Sequence, residues 1–238
     1  MEKFLSLIVT AGSVDTADYV GFTFFVGCMA MMAASAFFFL SMNSHDNKWR
    51  TSILVSGLIT FIAAVHYWYM REYWLENQTS PTFFRYVDWI LTVPLMFVEI
   101  IAITSVGAVA TKKFRDWGFA GLVMIGAGYF GEISEASSTN YWIGFVIAMA
   151  AYAYLMLQLQ NEGEGMSGDE LVQFNKIKNL IFVGWIIYPL GYISPVLGSD
   201  LGALRELLYN VADIINKVGL GVLVLGLARI KSGEKINS

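Results

Sequence analysis

The 238-residue sequence has little of what soluble, disulfide-bonded or nucleic-acid-binding proteins contain. It has a single cysteine, Cys28, so neither an intrachain disulfide nor a cysteine-based metal site can form. Charged residues make up only 14% of the chain, and its 15 lysines and arginines are scattered rather than gathered into a basic stripe. We therefore predict no nucleic-acid partner and no metal site.

Apolar residues, in contrast, are abundant. They make up 56% of the chain, and the mean hydropathy is +0.57. A soluble domain of this length carries more charge, so the composition predicts a membrane protein. A helix needs about 20 mainly apolar residues to cross the hydrocarbon core. Seven stretches qualify: Tyr19–Ser41, Thr51–Trp74, Phe84–Thr104, Trp117–Ile133, Trp142–Gln160, Lys176–Leu197 and Leu204–Ile230. The predicted fold is an all-α bundle of seven transmembrane helices.

The connections between these spans are too short to fold alone, and the chain shows no internal repeat. Residues 1–238 are therefore predicted to form one domain. The N-terminal Met1–Asp15 has a lysine, a short apolar stretch and the small residues Ala11-Gly12-Ser13, a weak match to a secretory signal. Two interpretations stay open there, a cleaved signal and an amphipathic lead-in to the first span.

Lysine and arginine lie mainly on one side of the predicted bundle. Alternate connections carry most of them: Lys48, Arg50, Lys112, Lys113, Arg115, Lys176, Lys178, Arg229, Lys231 and Lys235. The opposite connections carry only Lys3, Arg71 and Arg205. Because cytoplasmic loops retain positive charge, we predict that the N-terminus lies outside and the C-terminus lies in the cytoplasm.

The seventh span carries a lysine near its centre, Lys217, too deep to reach either membrane surface. Burial favours the neutral amine, which is the form that condenses with an aldehyde. Asp213 lies one turn earlier on the same helical face. Taken alone, the two residues are equally consistent with a structural ion pair.

The third span carries its ionisable residues on one stripe. Arg85, Asp88, Thr92 and Glu99 follow one another at intervals of three, four and seven residues, which places them on the same helical face. Asp88 and Glu99 are about 16 Å apart at the helical rise, roughly half of the hydrocarbon core. One carboxylate can therefore lie just outside a site in mid-membrane while the other lies on its cytoplasmic side.

His66 lies about 22 Å into the second span, close to the depth of Asp88. An imidazole there can tune the proton affinity of the carboxylate through a hydrogen bond, and a purely structural role is equally consistent. The charges within the spans also balance, since a cationic Lys217 and Arg85 match Asp88 and Asp213. The sequence thus predicts one electrically neutral cluster, which a low-dielectric interior tolerates.

Prolines and aromatic residues occur inside the spans. Pro94 and Pro189 each remove a backbone hydrogen bond, which predicts kinks in the third and sixth spans, either static or hinged. Trp89 adjoins the carboxylate of the third span, and Trp185 and Tyr188 lie one turn apart in the sixth. Such rings can clamp a flat ligand, although packing is their usual role.

Three stretches together resemble the microbial rhodopsins, and specifically the proteorhodopsin group of light-driven proton pumps. They are Arg85-Tyr-Val-Asp-Trp-Ile-Leu-Thr-Val-Pro-Leu95, Trp185-Ile-Ile-Tyr-Pro189 and Tyr209-Asn-Val-Ala-Asp-Ile-Ile-Asn-Lys217. The resemblance covers nearly the whole chain, and the first and third stretches are highly specific. It implies an outward proton pump, a transporter rather than an enzyme, in a bacterial inner membrane.

The resemblance also implies a cofactor and a role for each site residue. All-trans retinal would be bound to Lys217 as a protonated Schiff base. The implied roles are Asp88 as counterion and proton acceptor, Asp213 as its companion, Glu99 as cytoplasmic proton donor, and His66, Thr92 and Arg85 as groups that tune the acceptor. The implied retinal pocket comprises Trp89, Met96, Trp185, Tyr188 and Pro189. A nonpolar Met96 at the family's colour-tuning position implies green rather than blue absorption.

Two positions depart from relatives. Tyr152 stands where relatives often have a tryptophan that clamps the ring, so that contact is not carried over. Phe145 stands where carotenoid-binding relatives have glycine, which argues against an antenna pigment. The implied partners are the lipid bilayer and further copies of the chain, as a pentamer or hexamer.

Two other functions remain compatible with the residues. One is a photosensory rhodopsin that signals to a transducer protein, against which a donor carboxylate at Glu99 argues because fast reprotonation serves turnover rather than a long-lived signal. The other is a seven-span structural protein without a chromophore. A visible spectrum after addition of retinal separates the last from the first two.

Overall fold

The computed structural model of the protein describes residues 18–42, 49–105, 107–198 and 202–233. Seven helices follow one another: α1 (Tyr19–Ser41), α2 (Arg50–Asn77), α3 (Thr82–Thr104), α4 (Gly107–Glu132), α5 (Thr139–Gln160), α6 (Gly168–Gly184 and Ile187–Leu197) and α7 (Gly202–Asp213, Ile214–Val218 and Gly219–Lys231). The predicted all-α architecture of seven helices is confirmed. The expectations for Met1–Asp15, Lys48 and Lys235 concern residues outside the described ranges.

Two helices begin well before the predicted spans. The fourth span was placed at Trp117 and the sixth at Lys176, but α4 begins at Gly107 and α6 at Gly168. Hydropathy locates only the apolar part of a helix, and the helix itself continues into the polar zone with its backbone bonds intact. By length and composition six of the described helices are apolar enough to cross a membrane. The helix outside that set is α4, whose first ten residues include four charged ones.

The helices form a closed ring. Each of α1 to α4 packs against the next helix, and α5 also contacts the first segment of α6. The second segment of α6 packs on the first segment of α7, and the last segment of α7 packs on α2 and on the first segment of α6. The first segment of α7 also contacts α1. As a result α7 faces the interior, with α2 and α3 within reach of its buried side chains.

The surface and the charged groups are distributed differently from those of a soluble protein. Large apolar side chains such as Leu40 and Phe119 are exposed on the outer faces, at 80% and 69%. The interior, in contrast, contains charged side chains that are at most 3% exposed: Arg85, Asp88, Glu99, Glu206, Asp213 and Lys217. An apolar surface, with the charged groups enclosed by the helices, is what a lipid environment requires.

Two helices depart from regular α geometry. The first segment of α6 ends at Gly184 and the second begins at Ile187, just before Pro189. The Trp185 carbonyl, which a proline four residues later cannot reach with an N–H, accepts a bond of 3.3 Å from the Tyr188 N–H instead. Pro94, in contrast, lies within an uninterrupted α3. In α7, Ile214–Val218 winds as a π-helix, a local bulge that is frequent at functional sites.

Candidate functional site

A buried lysine and two aspartates form the centre of the bundle. Lys217, in the π-helical turn of α7, directs its Nζ between Asp88 of α3 and Asp213 one turn earlier in α7. It contacts Asp88 Oδ2 and lies 3.0 Å from Asp213 Oδ2. All three side chains are almost completely buried, at 3%, 0% and 0% exposure. The predicted proximity of these residues is thus observed.

The two carboxylates have different surroundings. Asp213 accepts hydrogen bonds from Tyr67 at 3.1 Å, Tyr188 at 2.8 Å and Trp89 Nε1 at 3.1 Å, donors that belong to three different helices. Every one of these contacts donates to the carboxylate, so they stabilise Asp213 in its ionised form. Asp88 Oδ1, in contrast, has no hydrogen-bond partner among the described residues. Asp88 therefore keeps an oxygen that is free to take up a proton.

His66 and Thr92 lie next to Asp88 but do not bind its carboxylate directly. His66 Nδ1 is 3.9 Å from Asp88 Oδ1, beyond hydrogen-bond distance, and 2.9 Å from the Ile62 carbonyl. Because a carbonyl only accepts, Nδ1 carries the hydrogen in this arrangement. The Thr92 hydroxyl donates to the backbone carbonyl of Asp88 at 2.9 Å. The predicted match in depth between His66 and Asp88 is observed, with the ring held by its own helix.

Glu99 lies further along the stripe of α3 that carries Asp88. Its side chain is 1% exposed, and its Oε1 contacts the Ser56 hydroxyl of α2. The second oxygen, Oε2, has no hydrogen-bond partner among the described residues. All four residues of the predicted stripe, Arg85, Asp88, Thr92 and Glu99, are buried. These four residues thus share one interior face of α3, as their spacing predicts.

The position of Arg85 corrects the predicted charge balance. Its guanidinium binds Glu206 at 2.7 Å and the Asn210 side chain at 3.0 Å, and not either aspartate. The charges thus separate into an Arg85–Glu206 pair and a lysine with two aspartates, rather than one neutral cluster of four. Glu206 was not predicted, although it lies on the same face of α7 as Lys217. Residues 206, 210, 213 and 217 are separated by four, three and four positions, and this helical spacing would have revealed Glu206.

A second buried glutamate, Glu132 at the end of α4, was also not predicted. Glu132 accepts hydrogen bonds from Tyr86 at 2.8 Å and Tyr209 at 3.0 Å, and it lies 3.6 Å from Arg205. Its position at the end of a span made it look like an ordinary surface residue. The contacts join α3, α4 and α7 at the end of the bundle where Arg85 and Glu206 also lie.

An aromatic cavity extends from Lys217 between α3, α4, α5 and α6. Its empty space, counted together with its opening to the outside, is about 730 Å³. All five predicted pocket residues line it: Trp89, Met96, Trp185, Tyr188 and Pro189. Nine further lining residues, spread over α3 to α7, were not predicted: Tyr86, Val93, Met124, Ile125, Gly128, Ala148, Met149, Tyr192 and Tyr209. Lys217 is the one charged side chain among the described lining residues.

Ring contacts shape this cavity. Trp89 packs edge-on against Tyr188 and Tyr209, with centroids 5.2 and 5.1 Å apart. Trp185 stacks on Tyr152, with centroids 6.5 Å apart and an interplanar angle of 30°. Tyr152 thus occupies the wall opposite Trp185, and Phe145 also belongs to the lining. The cavity suits a flat, apolar molecule held at one end by an amine.

Comparisons with known proteins agree with this geometry. The sequence profile of the family described as "Bacteriorhodopsin-like protein" matches residues 18–231. The chain is 38% identical over 226 residues to the green-light absorbing proteorhodopsin of Gamma-proteobacterium EBAC31A08, covering 91% of this chain and 89% of the relative. It is 37% identical over 233 residues to the blue-light absorbing proteorhodopsin of Gamma-proteobacterium Hot 75m4, covering 94% and 91%.

Solved structures show the same fold. The crystal structure of the blue light-absorbing proteorhodopsin from Med12 matches with a TM-score of 0.76 and 35% identity, covering 90% of this chain and all of the other. Xanthorhodopsin, a light-driven ion pump with a dual chromophore, matches with a TM-score of 0.81 and 27% identity, covering 91% and 96%.

Proposed function

Because this chain belongs to the bacteriorhodopsin-like family, we propose that it is a light-driven pump that moves protons outward across a bacterial inner membrane. One observation carries the proposal: a buried amine at the end of an apolar cavity contacts one carboxylate and has a second carboxylate further along the same helix. The similarity to green- and blue-light absorbing proteorhodopsins over most of the chain supports it.

The proposed cofactor is all-trans retinal, linked to Lys217. When bound, retinal supplies the photochemistry, in which light changes the geometry of the polyene and the proton affinity of the linked nitrogen. The residues present fit such a group, since the walls of the cavity are aromatic and apolar and Lys217 is their one charged member. Lys217 would hold the cofactor, and Trp89 of α3 and Trp185 of α6 would line its site.

Asp88 is the proposed acceptor of the outgoing proton. Its Oδ2 contacts Lys217 Nζ, so a proton can pass between these atoms within one hydrogen bond. Asp213 contacts the same nitrogen, but its three hydrogen-bond donors from α2, α3 and α6 hold it as an anion. Because of this difference in hydrogen-bond donors, we assign the role of acceptor to Asp88 and that of fixed counterion to Asp213.

Glu99 is the proposed donor that returns a proton to the nitrogen of Lys217. It lies eleven residues beyond Asp88 on the same face, about 16 Å at the helical rise. In the described part of the chain Glu99 forms no ion pair, and its closest side-chain partner is the neutral Ser56. Burial without a compensating charge keeps a carboxyl protonated, as a donor must be.

Direction follows from the proposed topology. With the N-terminus outside, α3 runs inward, so Asp88 lies on the outer side of Glu99. Lysine and arginine are in excess at the end of the helices that this orientation places in the cytoplasm, which supports it. A proton taken up through Glu99 and released through Asp88 then travels from the cytoplasm to the outside.

We further propose that the protein assembles as a pentamer or hexamer in the bilayer and carries no carotenoid antenna. The exposed apolar faces of the bundle favour contacts with lipid or with further copies. The Phe145 ring packs 5.1 Å from Tyr192 and 5.8 Å from Trp142, between centroids. Phe145 thus fills space that a glycine at this position would leave open.

Illumination of cells that express the protein with retinal tests the pump directly. We expect the medium to acidify in the light and the acidification to vanish with a protonophore. Asp88→Asn should lower its initial rate about 100-fold or more, because the acceptor is lost. Asp116→Asn, in the charged first part of α4, serves as the matched control and should pump normally, since Asp116 pairs with its neighbour Arg115.

Two outcomes would count against this function. Acidification that persists in Asp88→Asn would exclude Asp88 as acceptor, and a coloured protein whose photocycle lasts seconds without acidification would favour a photosensor.

Colour itself tests the cofactor site. Lys217→Ala should stay colourless with retinal, while Lys176→Ala, with an exposed side chain, should gain the colour of the unmodified protein.

A further inference from the structure

A groove runs along the outer surface of the bundle between α4 and α5. Three residues of each helix, spaced by three and then four positions, line it: Asp116, Phe119 and Val123 of α4, and Ile147, Ala150 and Tyr154 of α5. It is separate from the aromatic cavity, since the two share no lining residue. We call it the α4–α5 groove.

The packing of the two helices explains why this space is open. Elsewhere along the pair, a Cβ at Gly144 would lie 2.6 Å from the Ala127 carbonyl oxygen, so glycine brings the two backbones into contact. The groove, in contrast, is lined by Ala120, Ala150 and Ala151, whose side chains are single methyl groups. These methyl groups are too short to fill the space between the helices.

The two ends of the groove differ in polarity. Arg115, Asp116 and Tyr154 lie at one end, and Val123 and Ile147 lie at the other. From residue 115 to residue 123 an α-helix rises about 12 Å, close to half of the hydrocarbon core, which is about 15 Å. The groove therefore matches a molecule that has a polar head and an apolar chain about one leaflet long.

Positive charge is in excess at the polar end. Arg115 pairs with Asp116 at 2.9 Å, and Lys113 pairs with Glu162 at 2.5 Å, while Lys112 is exposed one turn before Asp116 on the same face of α4. The pair with Asp116 uses Nε and Nη2 of Arg115. A guanidinium has five N–H donors, and this side chain is 74% exposed, so donors remain for a second anion.

We propose that the α4–α5 groove binds an anionic phospholipid. Its phosphate lies among Lys112, Arg115 and the Tyr154 hydroxyl, and one acyl chain follows the alanines. On the proposed topology this end of α4 faces the cytoplasm, where anionic headgroups attract lysine and arginine. A helix from a second copy would instead cover the exposed Arg115 and remove it from water, which is costly.

A bound lipid would support the helix that the bundle encloses least. Only 17% of the apolar span of α5 is buried, compared with 33% or more in the other five apolar helices of the described chain. This helix nevertheless supplies Ala148, Met149 and Tyr152 to the wall of the aromatic cavity. An acyl chain in the groove gives α5 further apolar contacts, so we expect the lipid to stabilise that wall.

The first measurement tests the headgroup. Native mass spectrometry follows lipid binding to the purified, retinal-bound protein, with phosphatidylglycerol and phosphatidylcholine of the same acyl chains. We expect the tightest site to prefer phosphatidylglycerol about 10-fold or more. The double variant Lys112→Gln/Arg115→Gln should reduce this preference to about twofold or less. Lys176→Gln, which removes an exposed lysine of α6, is the charge control and should keep the preference.

The second measurement tests the groove. Ala150→Phe places a ring where the acyl chain would lie, so the affinity for phosphatidylglycerol should fall about 10-fold or more. Val146→Phe, one turn earlier on α5 and outside the groove, adds the same bulk at a position that is 63% exposed and should bind normally.

Thermal bleaching tests the effect on the cavity wall. At a lipid concentration 100 times the dissociation constant, phosphatidylglycerol should raise the bleaching temperature of the unmodified protein by about 5 °C or more. The same shift is expected in Val146→Phe, and none in Ala150→Phe. The visible colour of each variant confirms that it is folded.

Two results would overturn the lipid site. One is equal affinity for the two lipids. The other is binding of phosphatidylglycerol that neither Ala150→Phe nor the double variant weakens. If Ala150→Phe changed the number of copies in the complex and left lipid binding intact, the groove would be a contact between copies. None of these measurements uses transport, so failure of the pump is recognised separately, as absence of light-driven acidification.

Discussion

At the scale of single residues, the partners of each charge determine its role. Arg85 is neutralised by Glu206 at 2.7 Å, and Asp213 is surrounded by donors, so both are bound to fixed partners. Asp88 and Glu99 each retain an oxygen without a hydrogen-bond partner among the described residues. Asp88 and Glu99, the groups proposed to exchange protons, thus have fewer hydrogen bonds to break than Asp213.

The Arg85–Glu206 pair yields a prediction for stability. Glu206→Gln leaves the guanidinium of Arg85 buried without its carboxylate, a change that costs about 3 kcal/mol or more in pairs of this kind. We expect the retinal-bound variant to lose its colour at a clearly lower temperature in a thermal scan. Glu76→Gln, at the exposed end of α2, is the control and should bleach at the unmodified temperature. An unchanged bleaching temperature in Glu206→Gln would mean that another group neutralises Arg85.

At the scale of helices, two irregularities meet beside Lys217. The first segment of α6 ends at Gly184, and the π-helical turn of α7 contains Asn216. The Asn216 side chain packs against Gly184 so closely that a Cβ there would lie 2.8 Å from its Cγ. Asn216 also donates to the Ala212 carbonyl at 2.9 Å. The absence of a side chain at Gly184 therefore lets the two irregular helices approach each other.

This contact predicts the effect of a methyl group. Gly184→Ala must displace Asn216, and overpacking of this kind costs about 1–3 kcal/mol. Because Asn216 adjoins Lys217, we also expect a shifted absorption maximum. Gly118→Ala in α4 is the control, since nothing lies within 4 Å of its added Cβ. Thermal bleaching and the visible spectrum of the two variants measure the effect, and equal behaviour of both would contradict the close packing of α6 on α7.

At the scale of the whole molecule, the bundle exposes apolar side chains on its surface and encloses charged side chains. Leu40, Phe119 and Val183 are among the most exposed apolar side chains, at 80%, 69% and 69%. Such a surface is stable only where hydrocarbon covers it. Which end faces the cytoplasm does not follow from this surface and rests on the distribution of lysine and arginine.

Single cysteines test that orientation. Cys28 is buried, and Cys28→Ala provides a background without thiols. In that background Ala136→Cys, between α4 and α5, should react with a membrane-impermeant maleimide on intact cells. Glu164→Cys, between α5 and α6, should react only after the membrane is opened, since the proposed topology places it in the cytoplasm. The reverse pattern would invert the bundle and with it the direction of pumping.

Much of the site was predictable because its patterns are local. The spacings of Asp88, Thr92 and Glu99 in α3, and of Asp213 and Lys217 in α7, follow helical periodicity, and each helix keeps these residues on one face whatever it packs against. The helix ends were less predictable, as α4 and α6 show, because hydropathy locates the apolar part of a helix and not the residues at which the helix begins and ends. Glu206 was overlooked although its periodicity matched.

Sequence by itself determined that this protein has seven helices, a lysine near the centre of the last one and a stripe of polar and ionisable residues on the third, since composition and periodicity act within each segment. Tertiary structure alone decided that Arg85 pairs with Glu206, that Glu99 meets Ser56 and that the Glu132 carboxylate meets two tyrosines. These pairings depend on the rotation and height of each helix relative to its neighbours. Packing of the whole bundle sets both quantities, and no single segment contains them.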